Sequence, residues 1–179
     1  VFACYAYAVS VLAILSLRVI VSMALQPAGL LGRAVTTEHY HDLGKFMFAF
    51  IVFWGYIGFS QFMLIWYANI PEETAWYHQR YQGSWMTISR VLLWGHFMLP
   101  FFFVIMRSVK RNRALLFVAA VYMIVVHYID LHWLVMPTLH HDGFHPHLLD
   151  LTTFLAVGGV FVFAFMRLMV SAALVPVKD

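Results

Sequence analysis

Charged residues are scarce in this chain. Of its 179 residues, only 11% are Asp, Glu, Lys or Arg, whereas 63% are hydrophobic. A water-soluble domain usually carries about a quarter charged residues and about half apolar ones. The composition therefore excludes an ordinary soluble domain and indicates an integral membrane protein.

Cysteine is nearly absent as well. Cys4 is the single cysteine, so the sequence holds neither a disulfide framework nor a cysteine-ligated metal cluster. The formal net charge of +3 is not a sign of nucleic-acid binding, because the basic residues cluster at the ends of apolar runs. Membrane topology accounts for that placement. We therefore expect lipids and other proteins as partners, and no nucleic acid.

Long apolar runs make up most of the chain. A helix needs about 20 apolar residues to cross the hydrocarbon core of a bilayer, and we place such spans at 1–25, 45–70, 86–106, 114–136 and 148–175. Residues 72–88 are too polar to span, and their aromatic side chains favour a helix at the membrane surface. The predicted fold is all-α: one domain over residues 1–179, a polytopic membrane bundle of five transmembrane helices plus one outer-surface interfacial helix.

The distribution of basic residues predicts the orientation of the bundle. If the five spans alternate, nine of the 11 Lys and Arg residues fall at or near one side and two at the other. Cytoplasmic loops carry the excess of Lys and Arg, so we expect 107–113 to be cytoplasmic and 140–147 to be periplasmic. The nine are Arg18, Arg33, Lys45, Arg107, Lys110, Arg111, Arg113, Arg167 and Lys178, and the two are Arg80 and Arg90.

Titratable side chains inside the spans are the strongest functional signal. His127 and Asp130 are three residues apart in the fourth span and so share a helix face, and His96 lies in the third span. Such groups rarely face lipid and usually serve a function. Oxidation of a quinol releases protons, and His and Asp side chains are suited to accept them. We predict Asp130, His127 and His96 as proton acceptors or relays; the alternative is a buried His–Asp pair that only fixes the packing.

Polar side chains in the second span extend this interpretation. Tyr56 and Ser60 are candidates for a quinone pocket or a proton path. The alternative for each is an ordinary hydrogen bond between helices.

Two other interpretations of the histidines stay open. His96 and His127 lie at similar depths on two helices and could be the axial ligands of a haem, as in a cytochrome b-type anchor. The loop after the fourth span holds residue types that bind zinc, but their spacing matches no metal motif, and we favour a loop that is solvated or contacts another subunit. These loop residues are His140, His141, Asp142, His145, His147 and Asp150.

The segment 53–77 carries a family resemblance. Its sequence FWGYIGFSQFMLIWYANIPEETAWY, together with the later His-Tyr-Ile-Asp at 127–130, resembles the second quinone-type membrane subunit of alternative complex III, the ActF family. That family belongs to the NrfD-like polysulfide-reductase membrane proteins. The resemblance covers all five spans, but such subunits have about twice as many helices, so we expect this chain to be the C-terminal part of a longer subunit.

The resemblance implies a function within a multisubunit complex of a bacterial inner membrane. In such a complex quinol, for example menaquinol, is oxidised, and iron–sulfur and haem c subunits on the outer side take the electrons. The resemblance also implies an NrfD-like paralogue beside this subunit, and for this subunit a role in quinol oxidation, in proton translocation or in both. The resemblance implies no haem in this chain and supports His96, His127 and Asp130 as polar core residues, with Tyr56 and Ser60 as further candidates. A non-catalytic structural scaffold is the remaining alternative.

Overall fold

Helices account for nearly all of the regular structure. The computed structural model describes residues 2–29, 31, 34–140, 143–144 and 147–171, and in that part of the chain it has helices and no strand. Arg33, His141, Asp142, His145 and Lys178, which were named above, lie outside the described residues. The α-helices are α1 (Phe2–Leu25), α2 (Thr37–Ala68), α3 (Pro71–Arg80), α4 (Gly83–Leu92), α5 (Leu99–Val104), α6 (Arg107–Arg111), α7 (Arg113–Val135) and α8 (Leu148–Ser171).

Five helical segments are long and apolar enough to cross a bilayer. They are Phe2–Leu25, Thr37–Ala68, Gly83–Val104, Arg113–Thr138 and Leu148–Met169. The prediction of an all-α bundle with five spans is therefore confirmed, and the chain is a multi-pass membrane protein.

Span boundaries differ from the sequence prediction where polar residues extend a helix. Helix α2 begins at Thr37 rather than near Lys45. Its first turn is stabilised by His39, whose Nδ1 accepts the backbone N–H of Thr36 at 3.2 Å, and Lys45 pairs with Asp42 at 2.8 Å one turn further on. The predicted end of the last span, 172–175, lies outside the described residues.

The predicted surface helix 72–88 is two separate elements. Helix α3 ends at Arg80, and Gly83, with φ of +52°, starts the next membrane helix. Trp85, predicted to lie at the membrane surface, is instead 1% exposed and donates its indole N–H to the carbonyl of His140 at 2.9 Å. The glycine allows the sharp turn that an L side chain would disfavour, and this turn sends the chain back into the bundle.

Helices α1, α2 and α7 form the packed centre. Small residues such as Ala8 and Ala120 are fully buried there and let the helix backbones approach closely. Around them larger apolar side chains interlock, including Leu12, Ile51 and Met123. Helix α8 lies at the edge: none of its apolar stretch Leu148–Met169 is buried, and Tyr128 meets Phe154 edge to face at 5.0 Å between ring centroids.

A π-helical turn, Leu93–Met98, interrupts the third span. The backbone N–H of Leu99 donates to the carbonyl of Trp94, five residues earlier. The next donor in that pattern would serve Gly95, but it belongs to Pro100, which has no N–H. Tyr122 of α7 replaces it, donating its hydroxyl to the Gly95 carbonyl at 2.9 Å. Next to this proline the helix thus forms a widened turn, and such turns often mark functional positions.

At the end of the bundle that carries α6, charged side chains connect the helices. Arg111 pairs with Glu38 at 2.8 Å, and Lys110 donates to the carbonyl of Ile105 at 2.9 Å. A methyl group at Gly44 would meet the side chain of Lys110 at 2.9 Å, so the glycine is what allows α6 to lie against the start of α2.

Replacing Tyr122 with Phe removes the hydroxyl that serves the Gly95 carbonyl. We expect Tyr122→Phe to lower the stability of the detergent-solubilised protein by about 1 kcal/mol, because a partly buried carbonyl loses its hydrogen-bond donor. The measurement is the midpoint of thermal unfolding. Tyr67→Phe is the matched control, since Tyr67 is 85% exposed.

A Pro100→Ala background sharpens this test, because it returns a backbone N–H to the π turn. Tyr122→Phe should then cost much less, since the two changes act on one carbonyl. Equal losses in the two backgrounds would show that the hydroxyl does not compensate for the proline.

Candidate functional site

Asp130 lies at the meeting point of three helices. It is 1% exposed on α7. Its Oδ1 accepts the hydroxyl of Tyr5 from α1 at 2.6 Å, and its Oδ2 accepts the indole N–H of Trp54 from α2 at 3.2 Å. Tyr5 and Trp54 are also in contact, with ring centroids 5.9 Å apart. Each aromatic side chain buries an apolar body and directs its one polar group at the carboxylate.

The predicted partner of this carboxylate, His127, is not its partner. His127 shares the helix with Asp130, but its buried Nδ1 has no hydrogen-bond partner. The carboxylate reaches across to donors on α1 and α2, whereas the imidazole does not bond to it. Spacing along one helix predicts a shared face, but it does not say which way two side chains turn. No ion pair in the described part of the chain includes Asp130.

His96 joins the same cluster through an aromatic contact. It is fully buried in the π turn, and its ring centroid lies 4.1 Å from that of Trp54. Neither of its ring nitrogens has a partner. The structure therefore brings His96 into contact with Trp54, which donates a hydrogen bond to Asp130. Among the described residues, no chain of hydrogen bonds connects the histidine to the carboxylate.

An apolar cavity of about 680 Å³ lies beside this cluster. It opens between α2 and the third span, with residues of α3 at one end. Tyr5 and Trp54 line it, whereas Asp130, His96 and His127 do not. Pockets for small organic ligands usually measure about 300–1,000 Å³ and combine apolar walls with a few polar groups. This cavity has that character.

Tyr56 and Ser60, the two candidates of the second span, differ in their relation to this cavity. Tyr56 lines it, although 64% of that residue is exposed. Ser60 is not among the lining residues. A pocket role is therefore compatible with the geometry at Tyr56, while nothing in the cavity supports one at Ser60.

Arg80 is a site residue that sequence reasoning missed. The sequence analysis counted it only as a basic residue of the outer side, and the structure shows that it is 0% exposed. Its guanidinium lies 3.6 Å from the centroid of the Trp76 ring and 5.3 Å from that of Trp133. It donates to the carbonyls of Trp76 and Leu134, both at 2.8 Å. The i, i+4 spacing of Trp76 and Arg80 was the available signal.

The contacts of Arg80 hold α3 against α7 at one end of the cavity. Trp76, Trp133 and Leu134, which surround the guanidinium, all line the cavity. Ser89 adds a second link, because its hydroxyl donates to the Arg80 carbonyl at 3.0 Å and accepts the indole N–H of Trp133 at 2.8 Å. Burial lowers the pKa of Arg80 to about 10, so the group remains a cation at neutral pH.

In the loop after the fourth span, the structure describes His140, His147 and Asp150 of the six candidate metal ligands. Asp150 accepts the backbone N–H of His147 at 3.0 Å, which caps the start of α8. No group of three or more His, Cys, Asp or Glu side chains suited to a metal ion occurs among the residues that the structure describes. His141, Asp142 and His145 of this loop lie outside them.

No protein-family model matches this chain, and no curated protein matches it significantly. The family resemblance described above therefore rests on the motifs of the sequence itself.

Proposed function

We propose that this chain is a membrane subunit of a quinol:electron-acceptor oxidoreductase complex of the alternative complex III type, and that quinol binds in the cavity beside Asp130. One observation carries the proposal. A buried carboxylate with two neutral donors and no cationic partner lies directly behind the wall of an apolar cavity of suitable size. Buried carboxylates within membrane spans are expensive, and they are usually kept for a function.

The chemistry required of the protein is proton acceptance. A quinol loses protons as it is oxidised, and a carboxylate within reach of its hydroxyl can take one up. The long isoprenoid tail of a menaquinol suits the apolar walls, and the opening between α2 and the third span gives the tail a way out to lipid. Electrons leave to iron–sulfur and haem c subunits on the outer side, so this chain needs no haem of its own. A neighbouring NrfD-like paralogue completes the membrane part of the complex.

The complex lies in a bacterial inner membrane in this proposal. The end of the bundle that carries α3 faces the periplasm, and the end that carries α6 faces the cytoplasm. The excess of Lys and Arg at the α6 end supports this orientation.

Cysteine labelling tests the orientation. Ser108→Cys in α6 and Glu72→Cys in α3 place single exposed thiols at the two ends, in a Cys4→Ser background because the native thiol is exposed. A membrane-impermeant maleimide added to intact cells should label position 72 and not position 108. Disruption of the membrane should make both positions reactive. Labelling of position 108 alone in intact cells would show that the orientation is the reverse of the one proposed.

Asp130→Asn tests the proton-acceptor role. The amide oxygen can still accept from Trp54 and its NH₂ can donate to the hydroxyl of Tyr5, so assembly should survive. Quinol oxidation by the intact complex should fall about 10²-fold, the effect of losing a general base. Asp150→Asn is the matched control, because that carboxylate caps α8 outside the cluster. Full turnover and proton release in the assembled Asp130→Asn complex would rule out the proposal.

A haem-binding anchor is the second candidate, and one observation favours it. The ring nitrogens of His96, together with Nδ1 of His127, are buried without partners. Neither residue lines the cavity, and Trp54 lies against the face of His96. We expect the purified protein to show no b-type Soret band. A band that disappears in both His96→Ala and His127→Ala would establish the haem alternative instead. If quinol oxidation by the complex is unaffected by the changes at Asp130, His96 and His127, the non-catalytic scaffold is the role that remains.

A further inference from the structure

We propose that Tyr5 is the catalytic residue that touches the quinol, and that its hydroxyl relays the quinol proton to Asp130. The inference rests on the proposed function, since it takes quinol as the occupant of the cavity. It adds a residue of α1 to a site that sequence reasoning placed on the second, third and fourth spans.

The order of groups from the cavity inward supports the relay. Tyr5 lines the cavity and Asp130 does not, so the phenol stands between the bound molecule and the carboxylate. The hydroxyl is 2.6 Å from Oδ1, a short separation typical of a hydrogen bond to a carboxylate. A ligand in the cavity therefore meets the tyrosine before it can reach the aspartate.

Gly58 of α2 lies beside the hydroxyl end of the Tyr5 ring. Both residues line the cavity, and a methyl group at Gly58 would lie 3.7 Å from Cε2 of Tyr5. Cε2 is bonded to the carbon that carries the hydroxyl. A larger side chain at position 58 would therefore fill the cavity next to this edge of the phenol.

The chemistry of the two donors separates their roles. A phenol hydroxyl donates one hydrogen bond and keeps lone pairs that can accept another. Tyr5 can thus accept the quinol O–H while it donates to Asp130. The indole N–H of Trp54 has no lone pair to accept a proton, so it holds Oδ2 in place. Among the described tyrosines that line the cavity, Tyr56, Tyr77 and Tyr81 donate to no carboxylate.

The proton step is balanced within the site. The quinol O–H bond breaks as its proton joins Oη of Tyr5, and the original Tyr5 proton passes to Oδ1 of Asp130. Tyr5 ends neutral, Asp130 ends protonated, and the bound molecule is the quinol monoanion. That anion then gives its first electron to an iron–sulfur centre of a partner subunit. After Asp130 has released its proton to the outer side, the same relay takes the second quinol proton as the second electron leaves.

Tyr5→Phe tests the relay in the intact complex. The variant keeps the ring and removes the transferable proton. With a water-soluble menaquinol analogue we expect kcat to fall about 10²-fold, the usual effect of losing a proton-transfer group. KM and the binding of an alkylated hydroxyquinoline N-oxide should change little. Tyr7→Phe is the matched control, because Tyr7 lies half a turn along the same helix and is 59% exposed.

A double variant adds a readout that a purely structural role would not produce. Residues that act as one unit give non-additive losses. Tyr5→Phe combined with Asp130→Asn should therefore be no slower than either single variant. Multiplied losses would show that the two residues act independently and would overturn the relay.

Filling the cavity separates failure of the relay from failure of the proposed function. Gly58→Leu should block quinol oxidation and analogue binding, whereas Gly159→Leu, at a position with open space around it, should not. If Gly58→Leu and Asp130→Asn abolish turnover but Tyr5→Phe retains it, the relay is wrong and the site stands. If Gly58→Leu, Asp130→Asn and Tyr5→Phe all retain turnover, the cavity is not a quinol site and both proposals fail.

An analogue of tyrosine keeps the test decisive if Tyr5→Phe does not assemble. Difluorotyrosine at position 5 preserves the hydrogen bond to Asp130 but makes the phenol more acidic. A relay predicts a changed kcat and a changed solvent isotope effect on kcat, because the phenol O–H bond breaks in the proton step. An unchanged kcat and isotope effect would assign Tyr5 to the wall of the cavity and overturn its catalytic role.

Discussion

The hydrogen bonds to Asp130 determine how the centre of this bundle is arranged. Lipid offers no partner to a polar group, so a carboxylate within the membrane must be satisfied by the protein. Tyr5 and Trp54 meet this requirement from α1 and α2, which fixes both helices against α7. A donor lost from such a pair leaves a bare oxygen at a cost of about 1–3 kcal/mol. The same two side chains form a wall of the cavity, so the packing of three helices and the shape of the candidate site have one cause.

The same requirement explains the third span. Pro100 leaves the carbonyl of Gly95 without a backbone donor, and Tyr122 supplies one from α7. The widened turn places His96 inside the bundle against Trp54, where its ring nitrogens find no partner. Buried polar atoms without partners are rare in folded proteins, and each calls for an explanation. The unpartnered nitrogens of His96 lie close to Asp130, the one buried carboxylate of the described residues. A contribution to stability does not explain why these polar groups are buried together.

Sequence patterns predicted the elements of this fold much better than the contacts between them. Apolar runs gave the five spans, because length and hydropathy are properties of a single segment. Asp130 was identified because an aspartate in such a run is conspicuous. Its partners were not, since Tyr5 lies 125 residues away and nothing in a tyrosine near the chain start indicates a carboxylate across the bundle. The burial of Arg80 was not foreseen for a similar reason, because Leu134 and Trp133, which contact its guanidinium, belong to a different helix, α7.

Arg80 also has an electrostatic consequence for the cavity. A buried guanidinium behind an apolar wall is poorly screened, so it makes the potential in the space beside it more positive. Two neutral carbonyls accept from its Nη1 and Nη2 without cancelling its charge, and its buried Nε has no partner. If Asp130 takes a proton from the bound molecule, the carboxylate charge disappears while a negative charge appears on the ligand. The fixed cation then favours the anion that remains, and it does so without rearrangement, because the two tryptophans already hold it in place. The residues that fasten α3 would in this way also assist the proton step.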